Sequence, residues 1–222
     1  MAMLQIELPD GSVKEVESGS TPYDVALTIG EGLARQAVAA RFAGEMIDVT
    51  RPLTESGKLE LITQNSPEAL ELIRHSCAHL MAQAVKDIYG DEVQVTIGPA
   101  IKDGFYYDFY SETKKFVPED FEIIEKKMGE LAKADLPITR EDISRDDAIK
   151  LFREMGEDYK VELIEDLDAG QVSLYRQGNF VDLCRGPHIP RTGMIKAYKL
   201  TSLAGAYWRG DEKNAMLQRV YA

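Results

Sequence analysis

All three histidines and both cysteines of this 222-residue chain fall in two short stretches, IRHSCAHL at 73–80 and VDLCRGPH at 181–188. His75 and His79 are four residues apart, so on a helix they project one turn apart in the same direction. That spacing suits gripping one metal, water or substrate; a pair of ordinary surface histidines would have it too. On a helical projection Ile73, Cys77, Leu80, Ala84 and Ile88 form a core-facing stripe, with the two histidines on roughly the opposite face. Cys77 then reads as a small buried hydrophobe. In the second stretch Gly186-Pro187 rules out a helix. On a strand, Asp182 and Cys184 share one side, and the Arg-Gly-Pro turn can fold His188 back toward them. Three chemistries stay open: a four-ligand zinc site, a metal-free site in which imidazoles position and deprotonate a water, and a Cys–His nucleophilic pair.

The elements that must position these residues are legible in outline. MLQIEL and SVKEVE alternate around the turn PDG and predict a hairpin. TPYDVALTIGEGLA predicts a helix with Thr21 as N-cap and Pro22 in its first turn. QAVAARFAGEMIDV reads as a second hairpin and KLELIT as a closing strand, giving ββαβββ, the pattern of a small ubiquitin-like β-grasp domain. After the polar stretch TQNSPE a long helix is predicted from about Pro67 to Tyr89, capped by Ser66 and ended by Gly90. PEDFEIIEKKMGELAKADL and SRDDAIKLFREMG read as amphipathic helices, the second capped by Ser144. EVQVTIGPAIKDGFYYDFYS, YKVELIED, QVSLYRQGNFVDLC and the segment toward AYKLTSLAGAYW read as strands. The expected class is α+β. A β-grasp domain at 1–63 is followed by a larger domain at 64–222, in which the motif-bearing helix packs on an antiparallel sheet.

Composition is that of a soluble globular protein, with 44% hydrophobic and 29% charged residues. No run of eighteen apolar residues occurs, and the first residues lack a basic segment followed by an apolar one. The expectation is a cytoplasmic protein with reduced thiols and no membrane partner. A formal charge of −12 argues against a general nucleic-acid binder, but the charge is uneven. Residues 119–168 carry 17 acidic and 8 basic side chains, whereas 184–222 carry 7 basic and 2 acidic. An anionic ligand beside the second motif is therefore plausible, as is a merely solvated basic surface. There is no G-x-x-x-x-G-K-[ST], no G-x-G-x-x-G and no G-x-S-x-G, so no phosphate cradle or nucleophile elbow is evident.

IELPDGS, PYDVAL, IRHSCAHL, IGPAIKDGFYYDF, YKVELI, VDLCRGPHIP and AGAYWRGDEKNAMLQRVYA together resemble the N-terminal part of bacterial threonyl-tRNA synthetases. That part is a TGS (β-grasp) domain followed by an editing domain. HSCAHL with CRGPH is shared with alanyl-tRNA synthetases and their free-standing editing relatives, while GFYYD, AGAYWRGD and MLQRVY are narrower and select the threonyl branch. The resemblance covers the whole chain. The family's synthetic and anticodon-binding domains would begin after Tyr221.

The resemblance implies an aminoacyl-tRNA ester hydrolase that removes serine misattached to threonine tRNA and spares threonyl-tRNA. His75 and Lys160 resemble the pair that places and activates the attacking water. Asp182 matches the carboxylate that holds the substrate ammonium. His79, Cys184 and His188 match other pocket residues, with His188 toward the ribose or ester. Tyr106 or Tyr107 resembles an aromatic beside the terminal adenosine, and Gly98, in the matching IGPA segment, is implied as a further substrate-binding residue. Arg185, Arg191, Lys196, Lys199 and Arg209 would face the tRNA backbone. The threonyl branch implies a metal-free, water-filled site, with ATP, magnesium and zinc needed only by the synthetic domain; the alanyl branch implies zinc. The expected partner is the acceptor end of tRNA(Thr) carrying serine. The expected states are monomer for this segment and homodimer for the full-length enzyme. Two alternatives remain: a zinc-dependent deacylase of the alanyl type, and a non-catalytic RNA-binding module.

Overall fold

The computed structural model describes residues 2–222. Contacts divide the chain into two units, Met1–Ile73 with Gly186–Pro190, and Arg74–Arg185 with Arg191–Ala222.

In the first unit the predicted hairpin forms as β1 (Met3–Glu7) and β2 (Val13–Glu17), paired antiparallel. Helix α1 (Pro22–Ile29) starts where the sequence places it. The Thr21 hydroxyl accepts from the Asp24 N–H at 3.1 Å, and the Asp24 carboxylate accepts from the Thr21 N–H at 2.8 Å, a reciprocal capping box. Gly30 ends α1, and a short α2 (Glu31–Gln36) follows that the sequence pattern does not separate. Strands β3 (Ala37–Phe42), β4 (Glu45–Ile47) and β5 (Gly57–Thr63) complete a sheet in the order β2-β1-β5-β3-β4. Its central β1/β5 pair is parallel and the rest antiparallel, the arrangement of a β-grasp fold. Ile6, Val25, Ala40 and Leu59 are among the residues of its core.

Helix α3 runs from Ala69 to Tyr89. Its start is two residues later than predicted because Ser66 is used otherwise: its hydroxyl accepts from the Thr63 N–H at 3.0 Å, closing a turn. The expected division into a core stripe and an outward histidine face also needs correction. Every residue from Ser76 to Val85 is buried, so α3 is an interior helix covered on all sides there.

Around that helix the second unit builds two sheets. Strands β6 (Gln94–Val95), β7 (Ala100–Ile101) and β8 (Gly104–Tyr110) follow α3, then α4 (Asp120–Ala134), β9 (Ile138–Ser144) and α5 (Arg145–Glu154). Ser144 caps α5 as predicted, accepting from the Asp147 N–H at 3.1 Å. Then come α6 (Asp158–Glu165), β10 (Gln171–Gln177), β11 (Phe180–Leu183), β12 (Ser202–Tyr207) and β13 (Met216–Tyr221). One antiparallel sheet has the order β11-β10-β9; the other runs β12-β13-β8-β6, with β7 also on β8.

The segment YKVELIED is helix α6 and not the expected strand. Its apolar residues alternate well enough to suggest a strand, yet they also satisfy helical spacing on two sides. Val161 and Ile164 enter the core with Phe152 of α5 and Leu174 of β10, while Tyr159 and Leu163 pack with Trp208 and Leu217. Burial on two faces at spacings of three and four decides for helix over the local pattern. Full burial of a side chain such as Phe152 contributes about 1.5–3 kcal/mol. Among the described residues, no helix is long and apolar enough to cross a membrane.

Candidate active site

Four elements of the second unit converge. Helix α3 presents His75 and His79, whose ring centroids lie 5.0 Å apart in an edge-to-face arrangement. The β10–β11 pairing sets Asp182 opposite Tyr175, and just beyond β11 the Cys184 backbone is clamped at both ends by Ser173. The Cys184 N–H donates to the Ser173 carbonyl at 3.2 Å, and the Ser173 hydroxyl donates to the Cys184 carbonyl at 2.6 Å. This brings the Cys184 Sγ to 3.1 Å from the His75 Nε2. The remaining two elements, α6 and β8, contribute Lys160 and Tyr107.

Asp182 is the hub, only 1% exposed. Its Oδ1 takes the ion pair with Lys160, while its Oδ2 accepts from the Tyr107 hydroxyl at 2.6 Å and lies 3.2 Å from the His79 Nδ1. Lys160 Nζ also donates to the Tyr107 hydroxyl at 3.2 Å. A buried charge pair of this kind persists only when both partners are present and hydrogen-bonded, since desolvation of each ion costs several kcal/mol. Burial, together with the His75 and Lys160 charges, holds the His79 imidazole well below its ordinary pKa, so it is neutral near pH 7. Burial and the Asp182 carboxylate keep Tyr107 protonated.

The donor atoms of His75, His79 and Cys184 all lie within 4.8 Å of one another. Two imidazoles and a thiol are the donor set that zinc takes. The His79 Nδ1 faces Asp182, which leaves Nε2 for a ligand, the outer-shell arrangement common to metal-bound imidazoles. The residues therefore fit zinc in chemical type. Against that, the Lys160 ammonium already sets a positive charge close enough to His79 to lower its pKa.

Other residues singled out from the sequence are placed as follows. Cys77 is buried, its thiol pushed up to about 12 by desolvation. His188 is buried in the first unit, where its N–H donates to the Asp48 carboxylate at 2.8 Å. Tyr107 is fully buried and stacks on Phe109 at 5.1 Å, so no face of its ring is open to a base. Gly98 lies against that ring: a Cβ there would come within 2.1 Å of a ring carbon. Tyr106 is half-buried, and the Arg219 guanidinium covers one face of its ring at 3.8 Å.

Three of the seven basic C-terminal side chains are tied to the acidic 119–168 segment. Arg191 pairs with Asp135 at 3.2 Å, Lys199 with Glu125 at 2.7 Å and Arg209 with Asp166 at 2.6 Å. Lys196 donates to the Gly193 carbonyl at 2.5 Å. Arg185 is exposed, and its backbone carbonyl accepts from Arg140 at 3.0 Å. The charge asymmetry of the sequence is thus in part an internal pairing.

The link through Tyr107 was missed in the sequence. The signal for it is the inward alternation Phe105, Tyr107, Phe109 along β8, which marks a hydroxyl carried into an apolar interior and in need of a partner.

Two family models match this chain. The TGS domain model covers residues 4–63, and the model described as the threonyl and alanyl tRNA synthetase second additional domain covers residues 172–221, including Asp182, Cys184 and His188. From end to end, the chain is similar to the N-terminal region of bacterial threonine–tRNA ligases. It is 71% identical over 222 residues to the threonine–tRNA ligase of Syntrophotalea carbinolica, covering all of this chain and 35% of that protein. The corresponding ligase of Geobacter sp. (strain M21) is 59% identical over 221 residues, with 34% of its length covered. That of Legionella pneumophila is 53% identical over 220 residues, again with 34% covered. The chain spans about a third of the length of the curated relatives it matches.

Proposed function

We propose that the second unit hydrolyses the ester of mischarged seryl-tRNA(Thr) and spares threonyl-tRNA(Thr). The observation that carries this reading is the buried Lys160–Asp182 pair set beside His75, His79 and Cys184. A cation, a carboxylate and imidazoles at one place can bind an aminoacyl ester, position a water and stabilise the charge that develops on the carbonyl oxygen. His75 and Lys160 place and activate the water. Asp182 has acceptor capacity left for the substrate ammonium. His79 and Cys184 line the pocket and exclude the threonine methyl. Tyr106 lies by the terminal adenosine, and Arg185 is the exposed cation nearest in sequence to the site for a backbone phosphate. The partner is the acceptor end of tRNA(Thr), met in the cytoplasm.

Such an activity answers a physical limit. A synthetic site can reject serine in favour of threonine only by the packing of one methyl group, about 1–3 kcal/mol. A second site that admits serine and excludes the larger residue multiplies the discrimination.

Hydrolysis by side chains alone is the version proposed, supported by Lys160, which already provides a positive charge beside the imidazoles. A second reading is favoured by the donor set itself: zinc held by His75, His79 and Cys184 would supply Lewis-acid polarisation of the ester carbonyl. Deacylation of seryl- and threonyl-tRNA(Thr), with metal content measured on the same preparation, tests both. Selective loss of serine from metal-free protein supports the first; stoichiometric zinc and inactivation by chelator support the second. Binding of tRNA without turnover of either ester would overturn both.

A further inference from the structure

We infer that Tyr107 is a positioning residue of this site: its hydroxyl bridges Asp182 and Lys160 and sets the directions in which both face the substrate. The inference rests on the hydrolytic reading above and adds a residue that never touches the reactants.

The hydrogen-bond inventory carries it. A phenol has one proton to give and can accept in return. Tyr107 gives its proton to the Asp182 Oδ2 at 2.6 Å and accepts from the Lys160 Nζ at 3.2 Å. Lys160 has three protons. Its ammonium is ion-paired with the Asp182 Oδ1 and donates one proton to Tyr107, which leaves donor capacity for a water or an ester oxygen. Asp182 has room for about four donors. Tyr107 and His79 meet its Oδ2 and the Lys160 charge faces its Oδ1, which leaves acceptor capacity for an incoming ammonium. With the Tyr107 hydroxyl removed, the ammonium could turn about its bond to Asp182 and the carboxylate about its own axis, and neither free position would be defined.

The surroundings hold the hydroxyl in place. The Tyr107 ring is 0% exposed, stacked on Phe109 on β8 and met by the edge of His79 at 6.3 Å. Gly98 completes the slot, because a Cβ there would come within 2.1 Å of the ring. Gly98 thus acts one step further out, by allowing the ring to sit where its hydroxyl reaches both partners.

The test compares wild-type protein with Tyr107→Phe, which keeps the ring, and Gly98→Ala, which displaces it. Two readouts are taken: steady-state deacylation of seryl-tRNA(Thr), and the side-chain ¹⁵N resonance of the Lys160 ammonium. Tyr107→Phe should lower kcat about ten- to hundred-fold, as loss of an orienting partner typically does, with KM within about threefold. The Lys160 ammonium signal, resolved in wild type because its protons are held, should broaden into exchange. Gly98→Ala should move both readouts the same way. If wild type hydrolyses seryl-tRNA and folded Tyr107→Phe retains full kcat with an unchanged Lys160 signal, the inference is overturned and the hydrolytic reading stands. If wild type hydrolyses neither ester, the hydrolytic reading falls and the positioning role falls with it; the Lys160 signal then reports only whether the bridge exists.

Discussion

Replacing Asp182 by asparagine should destabilise the second unit more than any surface change, because it removes a charge and leaves its partner buried. Asp182 and Lys160 are 1% and 2% exposed, so neither can turn to water when the other is lost. Breaking a buried pair by removing one partner costs about 3–5 kcal/mol. In a chain of this length that corresponds to a fall of roughly 6–20 °C in Tm. Lys160→Met should cost a similar amount, since it strands the carboxylate with only the Tyr107 hydroxyl and the His79 imidazole. The double variant Asp182→Asn/Lys160→Met restores neutrality and should be no less stable than either single variant, so the losses are far from additive. The assay is urea unfolding of the four proteins, with near-equal m-values required before stabilities are compared. Additive losses, or single losses below about 1 kcal/mol, would refute the view that the two charges hold each other in the interior.

Other consequences follow from neighbouring features. Burial raises the Glu157 carboxyl above its ordinary value, partly offset by Lys86 at 2.7 Å and by the Val95 N–H at 2.8 Å. The folded protein therefore binds a proton at Glu157 more tightly than the unfolded chain, and this contribution to stability is lost as pH rises above about 4.5. Measured against Glu157→Gln at pH 4 and pH 7, wild type should lose ground at the higher pH. Cys77, with its thiol pushed up to about 12, should resist a thiol reagent at pH 8 until urea is added, while the half-buried Cys184 reacts in the folded protein. Ser144→Ala should cost about 1 kcal/mol, or 2–4 °C in Tm by calorimetry, through loss of the α5 cap.

What was legible in the sequence followed from short-range physics. Thr21, Pro22 and Ser144 act through hydrogen bonds and dihedral angles a few residues away, and they end or begin helices where their chemistry requires. The convergence of His75, His79 and Cys184 was legible because imidazoles and a thiol are scarce and their motif spacing is local. What failed depends on partners far along the chain. YKVELIED alternates like a strand, and only the two cores on either side of α6 show that it is a helix. The histidine face of α3 looked outward on a projection because a projection cannot show the sheets that cover it. The ion pairs of Arg191, Lys199 and Arg209 were likewise invisible, because their partners Asp135, Glu125 and Asp166 lie tens of residues away. The Tyr107 bridge spans 75 residues to Asp182 and 53 to Lys160, beyond the reach of any motif.

The proposed activity of this chain is removal of serine from threonine tRNA by its own side chains. Its most direct test is a deacylation time course on seryl- and threonyl-tRNA(Thr), run in parallel with and without chelator. Rapid loss of serine alone is expected, unchanged by chelator and abolished by His75→Ala. Hydrolysis of neither ester above the rate in buffer, or of both at the same rate, would contradict it.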